Sequence, residues 1–275
     1  MGVGSNMTQT KNAIEVFGLV KSFPKGRDQQ TVAVKNINIT VPQGQITSIM
    51  GPSGCGKSVL MKMLGGIILP TDGRIVLEGR EYLHGIPKNE LRRTGFVFQK
   101  DNLQPWRTVE KNLMLPIEVM RLKGEEWKNR VGEMLELVGL NDYRHALPQE
   151  LSGGMKQRVA LVRALMHNPD IVLMDQPFGA LDAITRRMLT YEFINIWKKT
   201  GKTFLMVTND IDEALLLSSK VYVLSRQPGT VIYEQAVDIP YDRRNQEILL
   251  DDEFLHLKAL LRHWTTYGTE GGLAQ

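Results

Sequence analysis

Residues 13–20 form a short apolar-rich run and residues 37–41 alternate apolar and polar, the patterns of half-buried strands. Between them Phe23-Pro24-Lys25-Gly26 reads as a turn leading through a polar loop to Val32-Ala33-Val34, so antiparallel strands are expected near the start. After a turn at Pro42-Gln43-Gly44, the mainly apolar run 46–50 predicts a buried strand that stops at a glycine-rich segment. Residues 58–64 then have helical spacing, Pro70-Thr71-Asp72-Gly73 breaks it, and residues 74–77 predict another strand.

The pattern changes between about residues 100 and 150, where 109–120 and 127–138 carry helical periodicity and no strand stands out. This stretch reads as a helical insertion. Beyond it come a helix over 151–167, a buried strand over 171–174, a helix over 183–199 and a strand over 203–207. Alternation of strand and helix implies a parallel sheet with helices on its faces. Residues 241–247 are polar, and a last helix carries Phe254, Leu257, Leu260, Leu261 and Trp264 on one face, which predicts packing on the body. No internal repeat is visible, and the tail 268–275 is expected to be loose.

Composition narrows the class without naming a function. The chain has 275 residues, 42% hydrophobic and 23% charged, which suits a globular protein with a substantial core. Its net charge of +4 is spread without blocks, too mild to imply nucleic acid. The single cysteine, Cys55, excludes an intrachain disulfide and fits a reducing compartment. No stretch approaches the roughly 18 apolar residues of a membrane span, and residues 1–11 lack the apolar core of a secretory signal.

Candidate chemistry begins at Gly51-Pro52-Ser53-Gly54-Cys55-Gly56-Lys57-Ser58, two glycines separated by four residues and followed by lysine and a hydroxyl. It follows a strand and opens a helix, which a phosphate-binding loop requires: glycines let backbone N–H groups turn inward, and the helix N-terminus adds partial positive charge. On this reading Lys57 holds the β and γ phosphates of ATP and Ser58 is a ligand of Mg2+. Asp175, ending an apolar strand, fits the second carboxylate of such a metal site. Alone it would read as a turn or cap residue; its weight comes from the pairing.

Leu151-Ser152-Gly153-Gly154-Met155-Lys156-Gln157-Arg158, just before Asp175, resembles the signature of ABC transporter ATPases. Other segments fall into the same order. Gln99 in Gly95-Phe96-Val97-Phe98-Gln99 resembles the glutamine loop, another metal contact; Gly179-Ala180-Leu181-Asp182 resembles the D-loop; Asn209 stands where the switch histidine is expected; Phe23 matches the aromatic that stacks on adenine. Gln104-Pro105-Trp106-Arg107-Thr108-Val109 and the segment 175–183 resemble, more narrowly, importers of nitrate, taurine and aliphatic sulfonates. The resemblance implies an α/β fold: a P-loop NTPase (RecA-like) core with a parallel sheet, an N-terminal antiparallel β subdomain and an inserted α-helical subdomain at about 100–150. It divides the chain into a flexible leader at 1–12, an ATPase domain at 13–225 and a C-terminal extension at 226–275, expected to serve packing. It further implies a peripheral subunit on the cytoplasmic face of the inner membrane. Such a subunit pairs with a second ATPase subunit and a membrane permease, and works indirectly with a solute-binding protein. In such dimers Ser152, Gly153 and Gly154 serve the partner's nucleotide.

Three departures matter. Gln176 replaces the glutamate that polarises the attacking water, and an amide cannot take a proton. Asn209 is shorter than histidine and never cationic, so both changes weaken hydrolysis. Val59 replaces threonine after Ser58, removing one hydroxyl near the α-phosphate and roughly fivefold in binding, or about 1 kcal/mol. The reading is therefore an importer subunit with an impaired site that pairs with a competent homologue. Alternatives are a Glu-to-Gln change introduced to trap ATP, an ordinary homodimer in which another group supports slow hydrolysis, a lipid-transport ATPase, and a non-transport ATPase of repair or translation. The transported solute is not written in this chain.

Overall fold

The computed structural model describes residues 11–25, 29–87 and 89–266. The leader through residue 10, Gly26 of the expected turn, and the tail from 268 lie outside the described residues. Strands β1 (Asn12–Pro24) and β2 (Gln30–Pro42) pair antiparallel along almost their full length. The expected turn at Phe23-Pro24 is therefore strand, and 32–34 and 37–41 belong to one strand rather than two. Irregular register explains why the period was lost: Gly18 (φ 58°) and Asn36 (φ 51°) adopt left-handed conformations within shifts of the pairing.

Next come β3 (Ile46–Met50), α1 (Lys57–Leu64), β4 (Asp72–Leu77) and β5 (Arg80–Tyr82), and a four-stranded antiparallel sheet forms in the order β2-β1-β4-β5. The chain continues through β6 (Thr94–Val97), α2 (Val109–Val119), α3 (Glu126–Leu137), α4 (Gly153–Leu165) and β7 (Ile171–Asp175). It then forms α5 (Ala183–Thr200), β8 (Thr203–Val207), α6 (Ile211–Leu217), β9 (Lys220–Leu224), β10 (Val231–Ala236) and α7 (Asp252–Thr266). A six-stranded sheet runs β10-β9-β3-β8-β7-β6, parallel except for the antiparallel edge strand β10.

Every residue of β3, β7 and β8 is buried, as expected of strands covered on both faces. Alternate side chains sort into two cores. Ile171 and Leu173 join α1 and the antiparallel sheet, while Val172 and Met174 join α2–α5. That sandwich fixes the strand ends, and the loops leaving them at Met50 and Asp175 make the site. The helical insertion appears as α2 and α3, without a strand.

A third core joins α6, β9 and α7. Phe254 and Leu261 of α7 are fully buried there, each stabilising by ~1.5–3 kcal/mol, with Leu257 and Trp264 packed alongside and Leu260 half-buried. The polar pattern over 241–247 hides one buried cation. The Arg244 guanidinium donates to Ile239 O (2.8 Å), Leu216 O (3.1 Å), Ser218 O (2.8 Å) and Val237 O (3.2 Å) and lies 3.9 Å from the Tyr241 ring. Periodicity also passed over β5, β6, α6, β9 and β10, most of them too short to show a period.

Candidate nucleotide-binding site

Backbone conformation builds the loop between β3 and α1. Gly51 (φ 150°) and Gly56 (φ 101°) occupy a region unfavourable to other residues, and a Cβ on Gly56 would lie 2.5 Å from Val34 Cγ1 and 2.8 Å from Ala33 O. Gly56 is the N-cap of α1 and has no side chain to satisfy the first N–H groups, which leaves them for a ligand.

A cleft of about 510 Å3 opens at this loop, within the usual range for ligand sites. It brings together Ser53, Gly54, Gly56, Lys57, Ser58 and Val59 with Phe23, Gln99, Gln176 and Asn209, which the chain supplies from β1, the segment after β6, and the loops after β7 and β8. Gly51, Pro52 and Cys55 are outside its lining. The first two act through their carbonyls, which accept from Lys57 Nζ at 2.7 and 2.9 Å. Cys55 is buried with its Sγ 3.8 Å from the same nitrogen. Burial lowers the Lys57 ammonium, opposed by Cys55 and Asp175, and raises the Cys55 thiol, opposed by Lys57.

Ser58 Oγ donates to Asp175 Oδ1 at 3.0 Å, joining the two motifs. Burial pushes the Asp175 carboxyl up, and the Ser58 hydrogen bond, Lys62 and Lys57 pull it back. Hydroxyl, carboxylate and the Gln99 amide are hard oxygen donors, a set suited to magnesium. Among the described residues no group of three or more His, Cys, Asp or Glu could hold a metal by itself. A cation here would share its shell with phosphate oxygens and water, the usual arrangement for magnesium.

Gln176 follows β7 in a left-handed conformation (φ 48°), its N–H bonded to Val207 O at 2.9 Å, and its side-chain Oε1 accepts from Gln99 Nε2 at 3.4 Å. Asn209 is exposed at the end of β8. Ser152, Gly153, Gly154 and Asp182 are not brought into this cleft. Ser152 caps α4 by accepting from Met155 N at 3.2 Å, and Asp182 caps α5 by accepting from Ile184 N and Thr185 N at 3.1 and 3.0 Å. Those backbone hydrogen bonds hold the exposed Asp182 carboxyl below the usual carboxylate range.

The sequence matches the ABC transporter family pattern over residues 34–179, more than half of the chain. A nitrate import ATP-binding protein of Synechococcus elongatus is 41% identical over 235 residues, covering 84% of this chain and 83% of that protein. The chain belongs to the ABC transporter family. Among its relatives, an aliphatic sulfonates import ATP-binding protein of Bacillus cereus is 39% identical and covers 84% of this chain and 88% of its own. A taurine import ATP-binding protein of Jannaschia sp. is 40% identical, covering 80% and 79%. The ABC fold is equally plain in three dimensions. A dimeric ATP-binding cassette bound to ADP and Pi superimposes with a TM-score of 0.70 at 32% identity, over 82% of this chain and 100% of that one. Among the described residues, this ABC protein has no helix long and apolar enough to cross a membrane.

Sequence reasoning missed some of the site. Ala33 and Gln227 line the cleft, Gln227 Nε2 donating to Val32 O at 3.3 Å. No motif points to Gln227, which reaches the cleft because Gly229 N bonds to Ala33 O at 3.0 Å. Glu213, beside the cleft, had a readable signal: it is the carboxylate that directly precedes the apolar run Ala214-Leu215-Leu216-Leu217.

Proposed function

We propose that this chain is the ATP-binding subunit of an importer for a small anionic or polar solute of the nitrate, sulfonate or taurine kind. Its own site hydrolyses ATP slowly, and it pairs with a competent homologue. The observation that carries the reading is the cleft itself, where an intact phosphate loop faces Gln176 and Asn209. Phe23 stacks on adenine, the N–H groups of the loop cradle the phosphates, and Lys57 neutralises the β and γ oxygens. Ser58, Asp175 and Gln99 hold magnesium, which supplies charge neutralisation at the phosphates when bound. Gln176 orients the lytic water but cannot deprotonate it, and Asn209 donates one neutral hydrogen bond where a cation would stabilise more.

Ser152 and Gly153 are exposed at the N-terminus of α4, outside their own cleft, which supports their serving the nucleotide of a second subunit. Closure of the pair on ATP and opening after hydrolysis would drive a membrane permease, a population shift set by differential affinity. Such a subunit works on the cytoplasmic face of the membrane.

The test is ATP turnover by the purified chain, by Gln176→Glu, and by Gln176→Glu with Asn209→His. Slow turnover that rises stepwise supports the reading; brisk turnover by the unaltered chain refutes it. Affinity purification from the native membrane should recover a multi-span permease and a homologous ATPase, and recovery of ribosomes or DNA instead would sink the transport assignment.

A further inference from the structure

The cleft shares a wall with a smaller pocket. Gln176 and Asn209 line both, and beyond them the second pocket, of about 190 Å3, is completed by Gly179, Arg186, Thr208, Asp210 and Glu213. This is room for several waters at about 30 Å3 each. Glu213 sits in the first turn of α6 and is 4% exposed. Its Oε2 accepts from Thr208 Oγ1 at 3.1 Å, while its Oε1 is buried without a hydrogen bond. A buried carboxyl with an idle oxygen is unfavourable, and the proposed chemistry of the cleft gives it no task.

The charges around it are mixed. Arg186 and Arg187 face it from α5, Asp210 and Asp212 share its helix, and Lys258 reaches in from α7. Four of these form two pairs: Arg186 Nη1 lies 3.1 Å from Asp210 Oδ2, and Lys258 Nζ 2.6 Å from Asp212 Oδ1. Strand β3, also packed on α6, brings no ionisable residue. Among the described residues no cation is bonded to Glu213. Burial pushes its carboxyl up to about 8, opposed by the Thr208 hydrogen bond and Arg186 and reinforced by Asp210.

We propose that Glu213 accepts the proton of the lytic water in this chain, in place of the carboxylate that position 176 lacks, with water in the shared pocket as the path. The inference rests on the reading of the cleft as a slow ATPase. The water oxygen bonds to the γ-phosphorus, and the bond from that phosphorus to the β,γ-bridging oxygen breaks, its electron pair leaving with ADP. The proton shed by the water passes along water held by Gln176 to ionised Glu213 Oε1, which later releases it to solvent. The sum is ATP and water giving ADP, phosphate and a proton. Gln176 keeps a role as the hinge of the path, since its amide can accept from one water and donate to the next.

Glu213 serves only when ionised, so the slow turnover of the full-length chain should climb with pH and level off above about 8. E213Q should flatten that climb and lower the alkaline plateau by roughly tenfold or more while ATP affinity stays within about threefold. Infrared spectroscopy of the nucleotide-free protein gives a second readout: the carbonyl band of a protonated buried acid should fade through the same midpoint and be missing from E213Q. The proposal is overturned if E213Q keeps the wild-type rate and profile, if the chain turns over no ATP at any pH, or if the band is already gone at neutral pH. Should E213Q fail to fold, the wild-type rate profile and infrared titration must still share one midpoint; a mismatch overturns it too. Fast, pH-insensitive turnover by the wild type would instead remove the slow-site reading beneath it.

Discussion

At the phosphate loop two glycines, Gly54 and Gly56, line the cleft beside Ser53, Ser58 and Val59, with Lys57 held by two carbonyls of the same loop. At the opposite wall the cleft is lined by two polar side chains, Gln176 and Asn209. On the reading proposed above, the first region would tolerate a change such as Val59, because a cradle of peptide N–H groups does not depend on that side chain. On the same reading, the second region has no backbone substitute for a carboxylate or an imidazole, so its side chains would set how fast bound ATP is consumed.

The sharpest way to break this contrast is Gln176→Glu. Turnover should rise by ~10²–10⁴, the usual worth of a positioned general base, with ATP affinity within about threefold. Steady-state ATPase assays and fluorescent-nucleotide titration read the two halves separately, and an affinity change as large as the rate change would dissolve the distinction. Lys57→Ala is the reciprocal test. It should weaken ATP binding by ~100-fold, because it removes a charge-assisted contact and also frees the Gly51 and Pro52 carbonyls it spans.

Glu213→Gln extends the contrast to stability. With the carboxyl pushed up to about 8 by burial, the folded chain holds that proton into the alkaline range, whereas an unfolded glutamate releases it near the ordinary 4.5. Stability from the raised pKa is therefore fully present below about 4.5 and is lost as pH rises to about 8. At mildly alkaline pH the variant should unfold at higher urea than the wild type, by up to a few kcal/mol at ~1.4 kcal/mol per pKa unit. Equal midpoints at all pH values would show that Glu213 is not buried neutral. Smallest is Val59→Thr, which should tighten ATP binding about fivefold without touching turnover, measured by the same titration.

Legibility followed the same division. The loop at 51–58 was readable because its spacing, preceding strand and following helix are local properties, and α2, α4 and α5 showed their periods over several turns. β1 and β2 were read too short because left-handed Gly18 and Asn36 shift the register, which a strict period of two does not allow. The meeting of Ser58 with Asp175 was legible as a pair of motifs, since strand ends on one sheet edge converge. Gln227 was not, because only the fold carries it from the segment after β9 to the part of the cleft lined by Ala33. The buried state of Glu213 lay between these cases: its apolar neighbours hinted at it, but the oxygen left without a partner is a property of packing.

Arg244 carries one more implication. Its guanidinium staples the last segment to the carbonyls of Leu216 and Ser218, where α6 ends, while the other end of that short helix begins beside Asn209. Arg244 thereby ties the carboxy-terminal arm to one end of a two-turn helix whose other end lies at the mouth of the cleft. Trimming the chain before this arginine would strip those carbonyls of their donor and leave the helix without its rear mooring.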